Sequence, residues 1–241
     1  MLSLKRSRYT LTLLPLASQS LFAQEGASSQ ASQSSLWSMI SEGGWAMIPL
    51  GICSLALIYL IVHCLRETRA DRFGHETLGV RLEELCGKGK IEEAVHVARH
   101  DPSLLGRAVA VGLAKFDPQA PNESIENVEA ATIEQFDLEE HGIGQWIHYV
   151  NVIAAVSPMI GLLGTVSGMI GAFQTMSAGG MGRPELFAGD ISEALITTAT
   201  GLCIGIPAMI AHSFLNNRLN NQLVENGQRA RAVQDCLLEN S

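Results

Sequence analysis

Three stretches of the chain lack any Asp, Glu, Lys or Arg: residues 43–65, 141–182 and 194–217. Each reaches the roughly 20 apolar residues that a helix needs to cross a bilayer core of about 30 Å. The pattern therefore predicts three transmembrane helices, the middle stretch being longer than one crossing requires. A bundle of buried soluble helices is the competing reading, but soluble helices of this length carry a charged face. Between the first and second stretches the period becomes that of shorter amphipathic helices. Leu78, Leu82 and Leu85 lead to a break at Gly87-Lys88-Gly89. Residues 91–100 place Ile91, Ala94, Val95 and Ala98 on one face and end at Asp101-Pro102. Residues 104–116 form a third short apolar helix, followed by a loop around Asp117-Pro118 and Pro121-Asn122. From about Ser124, Ile125, Val128, Ile133, Phe136 and Leu138 recur near helical spacing and run into the second span without a strong breaker. The predicted fold is an all-α membrane protein. Transmembrane helices two and three are long and extend into the cytoplasm, beside a small helical cytoplasmic domain.

Charge placement orients this arrangement. Lys5, Arg6 and Arg8 precede a short apolar run and then Leu21-Phe22-Ala23, which predicts a signal peptide over 1–23. Residues 24–42, rich in Ser, Gln and Ala, are expected to form a flexible periplasmic tail. They contain no Lys or Arg, whereas Arg66, Arg69 and Arg72 follow the first span. The positive-inside rule then runs the first helix from outside to inside. The expected order is a first span at 43–65, a cytoplasmic segment at 66–142, a second span at 143–176 and a periplasmic loop at 177–189. A third span at 190–213 and a cytoplasmic tail at 214–241 complete it. The mature N-terminus is periplasmic and the C-terminus cytoplasmic, in the cell inner membrane.

Composition removes several functions. Hydrophobic residues make up 47% of the chain and charged residues 17%. Of the net charge of −8, most arises in residues 66–142, where nine Lys or Arg face sixteen Asp or Glu. No basic stripe supports nucleic-acid binding. The five cysteines are scattered without a C-x-x-C pair, so neither a disulfide framework nor a zinc site is expected. His96 and His100, at i and i+4, lack a third ligand, and a solvated or packed face is the better reading. No metal or cofactor is predicted. No nucleophile–base pair, P-loop or paired-carboxylate site points to an enzyme.

The second and third spans carry the specific signals. Gly161, Gly164, Gly168 and Gly171, spaced 3, 4 and 3, share one narrow face suited to close helix packing in lipid. Pro158 frees a backbone carbonyl one turn earlier, which needs a neighbour, a hydroxyl or water. The third span opens with Asp190 and Glu193, then Thr197, Thr198 and Thr200. An ionisable group inside a span is a functional candidate. The alternative is that Asp190 and Glu193 cap the helix start and complement its dipole.

The blocks Pro158 with Gly161-Leu162-Leu163-Gly164-Thr165-Val166-Ser167-Gly168-Met169, and Ile191-Ser192-Glu193-Ala194-Leu195 with Thr197-Thr198-Ala199-Thr200-Gly201-Leu202 and Ile206-Pro207-Ala208, resemble the MotA/TolQ/ExbB proton-channel family. The resemblance is specific over 154–217 and architectural over 43–142. It implies a non-enzymatic wall subunit of a proton-motive-force-driven channel. Such a subunit forms a homo-oligomer, a pentamer in the best understood cases, around an ExbD/TolR-type single-span partner with a membrane aspartate. Thr165 and Thr198 match the family's pore-lining threonines, and Glu193 matches its acid near the outer end of the third span. Three spans and a short outer loop resemble ExbB and TolQ more than four-span MotA. The leader and polar tail lean toward ExbB-type members, which energise TonB-dependent uptake with a TonB-type protein. A TolQ-type role in envelope integrity and a passive membrane scaffold are the alternatives.

Overall fold

The computed structural model describes residues 43–117, 119–180 and 185–239. The predicted signal peptide and the predicted tail lie outside the described residues. The described chain is nearly all helical, with no strand among the described residues. In order, the helices are α1 (Met47–Glu67), α2 (Ala70–Phe73), α3 (Glu76–Gly87), α4 (Ile91–His100), α5 (Leu104–Leu113), α6 (Pro121–Thr175) and α7 (Glu185–Glu239). A π-helical turn, Met176–Gly180, ends α6. Three helices are long and apolar enough to cross a membrane, the qualifying segments being Met47–Glu67, Ser124–Ala178 and Phe187–Leu237.

α6 and α7 are each 55 residues long, about 80 Å at 1.5 Å per residue. They pack against one another along their length and form the backbone of the molecule. Each has an apolar arm and a polar arm. Pro121 opens α6, a position where its missing N–H leaves no partner wanting. The helix then continues without interruption from the polar arm into the apolar one.

The polar arms gather the short helices. α3, α4, α5 and the end of α7 close around Leu82, Ala94, Ala98, Leu105, Val109 and Val233. Sequence punctuation sets their ends. The Ser103 hydroxyl accepts from Gly106 N–H at 3.2 Å and caps α5, and Asp101 accepts from Ser103 N–H at 2.8 Å. A β-carbon on Gly106 would stand 2.9 Å from the Ala98 carbonyl, so the α4–α5 corner requires glycine. Arg218 and Arg229 of α7 reach the connections around α2: Arg218 Nε donates to the Thr68 carbonyl at 2.9 Å and Arg229 Nη1 to the Gly74 carbonyl at 3.2 Å. Glu139 of α6 takes Arg107 at 3.0 Å and Arg72 at 3.7 Å.

Where α1 meets the two long helices, Leu57, Leu60, Cys64, Ile147, Val150, Leu215 and Leu219 make a second core. His63 lies edge-on to Trp146 with ring centroids 4.7 Å apart, beside Tyr59 and Tyr149. This aromatic group sits close to Arg66 and Glu67, where the apolar run of α1 gives out. Aromatic residues of this kind are enriched at membrane–water interfaces. Beyond the group the outward residues of α1, such as Ile48, Ile52, Leu55 and Ile58, are exposed apolar side chains facing the surroundings.

Candidate functional site: the apolar arms of α6 and α7

The glycine face of α6 meets a matching face of α7 in antiparallel register. A β-carbon on Gly161 would lie 2.9 Å from the Thr197 carbonyl, and one on Gly168 would lie 2.6 Å from the Asp190 carbonyl. One on Gly164 would collide with the Thr197 side chain. α7 answers with its own small residues. A β-carbon on Gly201 would stand 2.6 Å from the Ser157 carbonyl, and one on Gly205 would stand 2.7 Å from the Pro158 ring. Ala194, Thr197, Gly201, Gly205 and Ala208 recur every three or four residues, the period of one helix face. Gly171 is looser, with the Asp190 carboxyl in ordinary contact distance. In a lipid setting such close approach supplies the packing that hydrophobicity does not. The carbonyl freed by Pro158 is that of Ala154, and it faces Gly205.

Hydroxyls in the seam are spent on backbone carbonyls. Ser157 donates to Ile153, Thr197 to Ala194 and Thr200 to Ile196, each at 2.8 Å. Thr165 donates to the Leu162 carbonyl of its own helix at 2.7 Å. Thr198 instead crosses the seam and donates to the Gly161 carbonyl at 3.0 Å. Thr198 is thus joined to α6 one turn before Thr165, while no hydrogen bond links Thr165, Thr198 and Glu193 to each other.

Glu193 points elsewhere. Five residues separate it from Thr198, which turns the helix by about 140° and places them roughly 7.5 Å apart along its axis. Its carboxylate lies against Gly44, in the place a β-carbon there would take. Gly44 precedes α1, and α1 has neither a side-chain cap nor an acid in its first turn. Among the described residues the Glu193 carboxylate has no ion pair and no hydrogen bond. Next to it, Trp45 Nε1 donates to the Ser167 hydroxyl of α6 at 3.1 Å. Asp190, one turn nearer the start of α7, accepts from the Thr175 hydroxyl at 3.4 Å. The capping alternative for these two acids does not hold. α7 is already helical from Glu185, so Asp190 and Glu193 lie a turn or more inside it.

Other sequence candidates stand apart. His96 and His100 stack with centroids 4.2 Å apart, and His100 Nδ1 meets the His96 carbonyl at 2.8 Å. Cys86 is buried beneath α7, and burial first, then neighbouring Cys236, push its thiol up to about 11. The small-residue face of α7 and the Gly44–Trp45 contact escaped the sequence reading. The first was readable from the spacing of Ala194, Thr197, Gly201 and Gly205; the second has no local signal.

Long apolar helices joined by a glycine seam, with an acid inside one of them, define a multi-pass helical membrane protein. The chain belongs to the MotA/TolQ/ExbB proton channel family, whose model matches residues 100–226. It is 35% identical over 188 residues to the Tol-Pal system protein TolQ of Haemophilus influenzae, covering 72% of this chain and 78% of that protein. It is 45% identical over 179 residues to the biopolymer transport protein ExbB of Neisseria meningitidis, covering 70% and 79% respectively.

Proposed function

We propose that the chain is the wall-forming subunit of an ExbB-like channel in the inner membrane. There it couples proton flow to TonB-dependent outer-membrane transport together with an ExbD-type partner. The observation that carries this reading is Glu193, a carboxylate inside an apolar helix that has no ion pair and no hydrogen bond among the described residues. Such groups are costly in a bilayer and mark ion paths. Thr198 and Thr165 stand further along the same pair of helices and offer hydroxyl oxygens on that path. The glycine seam keeps α6 and α7 together as one rigid stave, and a ring of five copies around the partner's helices is the assembly that fits. The topology is the one drawn from charge: α1 enters from the periplasm, the polar arms of α6 and α7 stand in the cytoplasm, and the short connection near Met176 is periplasmic.

Identity to the Neisseria ExbB over most of the chain supports the transport role. The Haemophilus TolQ supports a second reading, service to envelope integrity. Purifying the tagged protein from its own cells in mild detergent and identifying its companions by mass spectrometry tests both. A single-span protein with a membrane aspartate is the expected companion, and its own relatives separate the two roles. A homo-oligomer without such a protein, across several detergents, would leave a passive scaffold as the better reading.

A further inference from the structure

We propose that the lead-in to α1, Gly44 and Trp45, is the positioning element of Glu193: it seats the acid's carboxylate and ties that seat to α6. The proposal rests on the reading of Glu193 as the pathway acid and assigns to α1 a part in it.

Three observations carry the assignment. The Glu193 carboxylate occupies the space that any β-carbon on Gly44 would fill, with its second oxygen 3.2 Å from that point. Gly44 also has φ +60°, a conformation that side-chain-bearing residues rarely adopt. Two separate requirements for glycine thus coincide at a residue that touches the acid. Finally, the next residue is anchored. Trp45 donates its indole N–H to Ser167, two residues beyond Thr165 on α6, while its ring stays half exposed.

The consequence is mechanical. Gly43 and Ala46 are buried on either side of the contact, so the lead-in is held in place rather than draped over the helices. Met47 N–H bonds to the Gly44 carbonyl at 3.2 Å and Ile48 N–H to the Trp45 carbonyl at 3.2 Å, which makes the lead-in a continuation of α1. A tilt of α1 relative to α6 therefore moves the wall against which the carboxylate rests. Glu193, on α7, touches the lead-in to α1, and Trp45 of that lead-in is hydrogen-bonded to α6, so the three candidate spans converge near the acid. This also explains why Glu193 and Thr198 diverge around α7: one faces α1 and the other faces α6.

The test uses the full complex in native membranes, with energised function and the rate of dicyclohexylcarbodiimide labelling at residue 193 as readouts. Misplacing a reacting group by an ångström costs up to about a hundredfold, so Gly44→Ala is expected to lower energised function by about tenfold or more. The complex should still co-purify, and the labelling rate at Glu193 should change. Ser167→Ala, which removes only the Trp45 anchor, should move both readouts the same way by less. Shortening the acid separates a steric seat from backbone strain: Gly44→Ala combined with Glu193→Asp should exceed the product of the two single variants. Simple multiplication of the two losses, or unchanged labelling in Gly44→Ala, would overturn the seat. If Glu193→Gln alone leaves function intact, the pathway reading fails. A labelling change in Gly44→Ala would then still establish the seat by itself.

Discussion

The apolar and polar arms of α6 and α7 are held together in opposite ways. In the apolar arms the contact is made by Gly161, Gly164, Gly168, Gly201 and Gly205, which let the facing backbone, the Thr197 side chain and the Pro158 ring approach closely. Beyond those arms the same two helices pack through larger side chains, burying Leu215 and Leu219 against α1 and α6 and Val233 and Leu237 among the short helices. A groove of about 330 Å3 even opens between them, lined by Ile133, Phe136, Leu223 and Val224 among others. The difference follows the solvent. Water drives large apolar side chains into a core, at about 25 cal/mol per Å2. Lipid supplies no such drive, and association there depends on close fit.

Breaking the seam should have the largest effect. Gly201→Leu drives a side chain into the Ser157 carbonyl and the backbone of Gly161, neither of which can turn aside. We expect loss of folded protein from the membrane, measured as the monodisperse fraction on size-exclusion chromatography in detergent. Leu219→Ala in the polar arms should cost about 2–5 kcal/mol of stability, the usual range for a buried leucine, read as a lowered thermal midpoint. The protein should still insert, because the seam is untouched.

Thr198→Val sharpens the comparison at smaller scale. It removes the hydroxyl that crosses from α7 to the Gly161 carbonyl of the facing helix. Interhelical hydrogen bonds in membranes are worth about 0.6 kcal/mol, so the thermal midpoint should barely move. Energised function should nevertheless fall if the hydroxyl lies on the proton path. The least disruptive probe is Cys86. Its thiol ionises only near about 11 because it is buried, with Cys236 close by. The thiolate is the reactive form, so alkylation of the folded protein should be slow at pH 8 and accelerate toward pH 11. Unfolding removes the burial and should raise the rate at pH 8. Stability should fall correspondingly as pH rises from the ordinary thiol range toward 11, since the unfolded chain there binds fewer protons than the folded one.

Legibility in the sequence followed the range of the contacts involved. The short helix Ile91–His100 was readable from local periodicity and from the Asp101-Pro102 stop. The long run from Ser124 through Phe136 into the apolar arm was readable because nothing in it breaks a helix. Absence of charge was a poorer guide to where helices begin. α7 starts at Glu185, well before its charge-free stretch, which is why Asp190 and Glu193 resembled caps. The seat of Glu193 was illegible, because Gly44 and Glu193 are brought together only by the packing of α1 on α7. Gly44 in isolation reads as one more small residue ahead of a helix.

Proton flux in liposomes reconstituted with the native complex tests the central claim most directly, comparing the natural protein with Glu193→Gln at equal amounts of intact complex. Flux driven by an imposed potential should drop to the level of empty liposomes in the variant. Equal flux from both proteins would contradict the account, leaving Glu193 without a part in the channel.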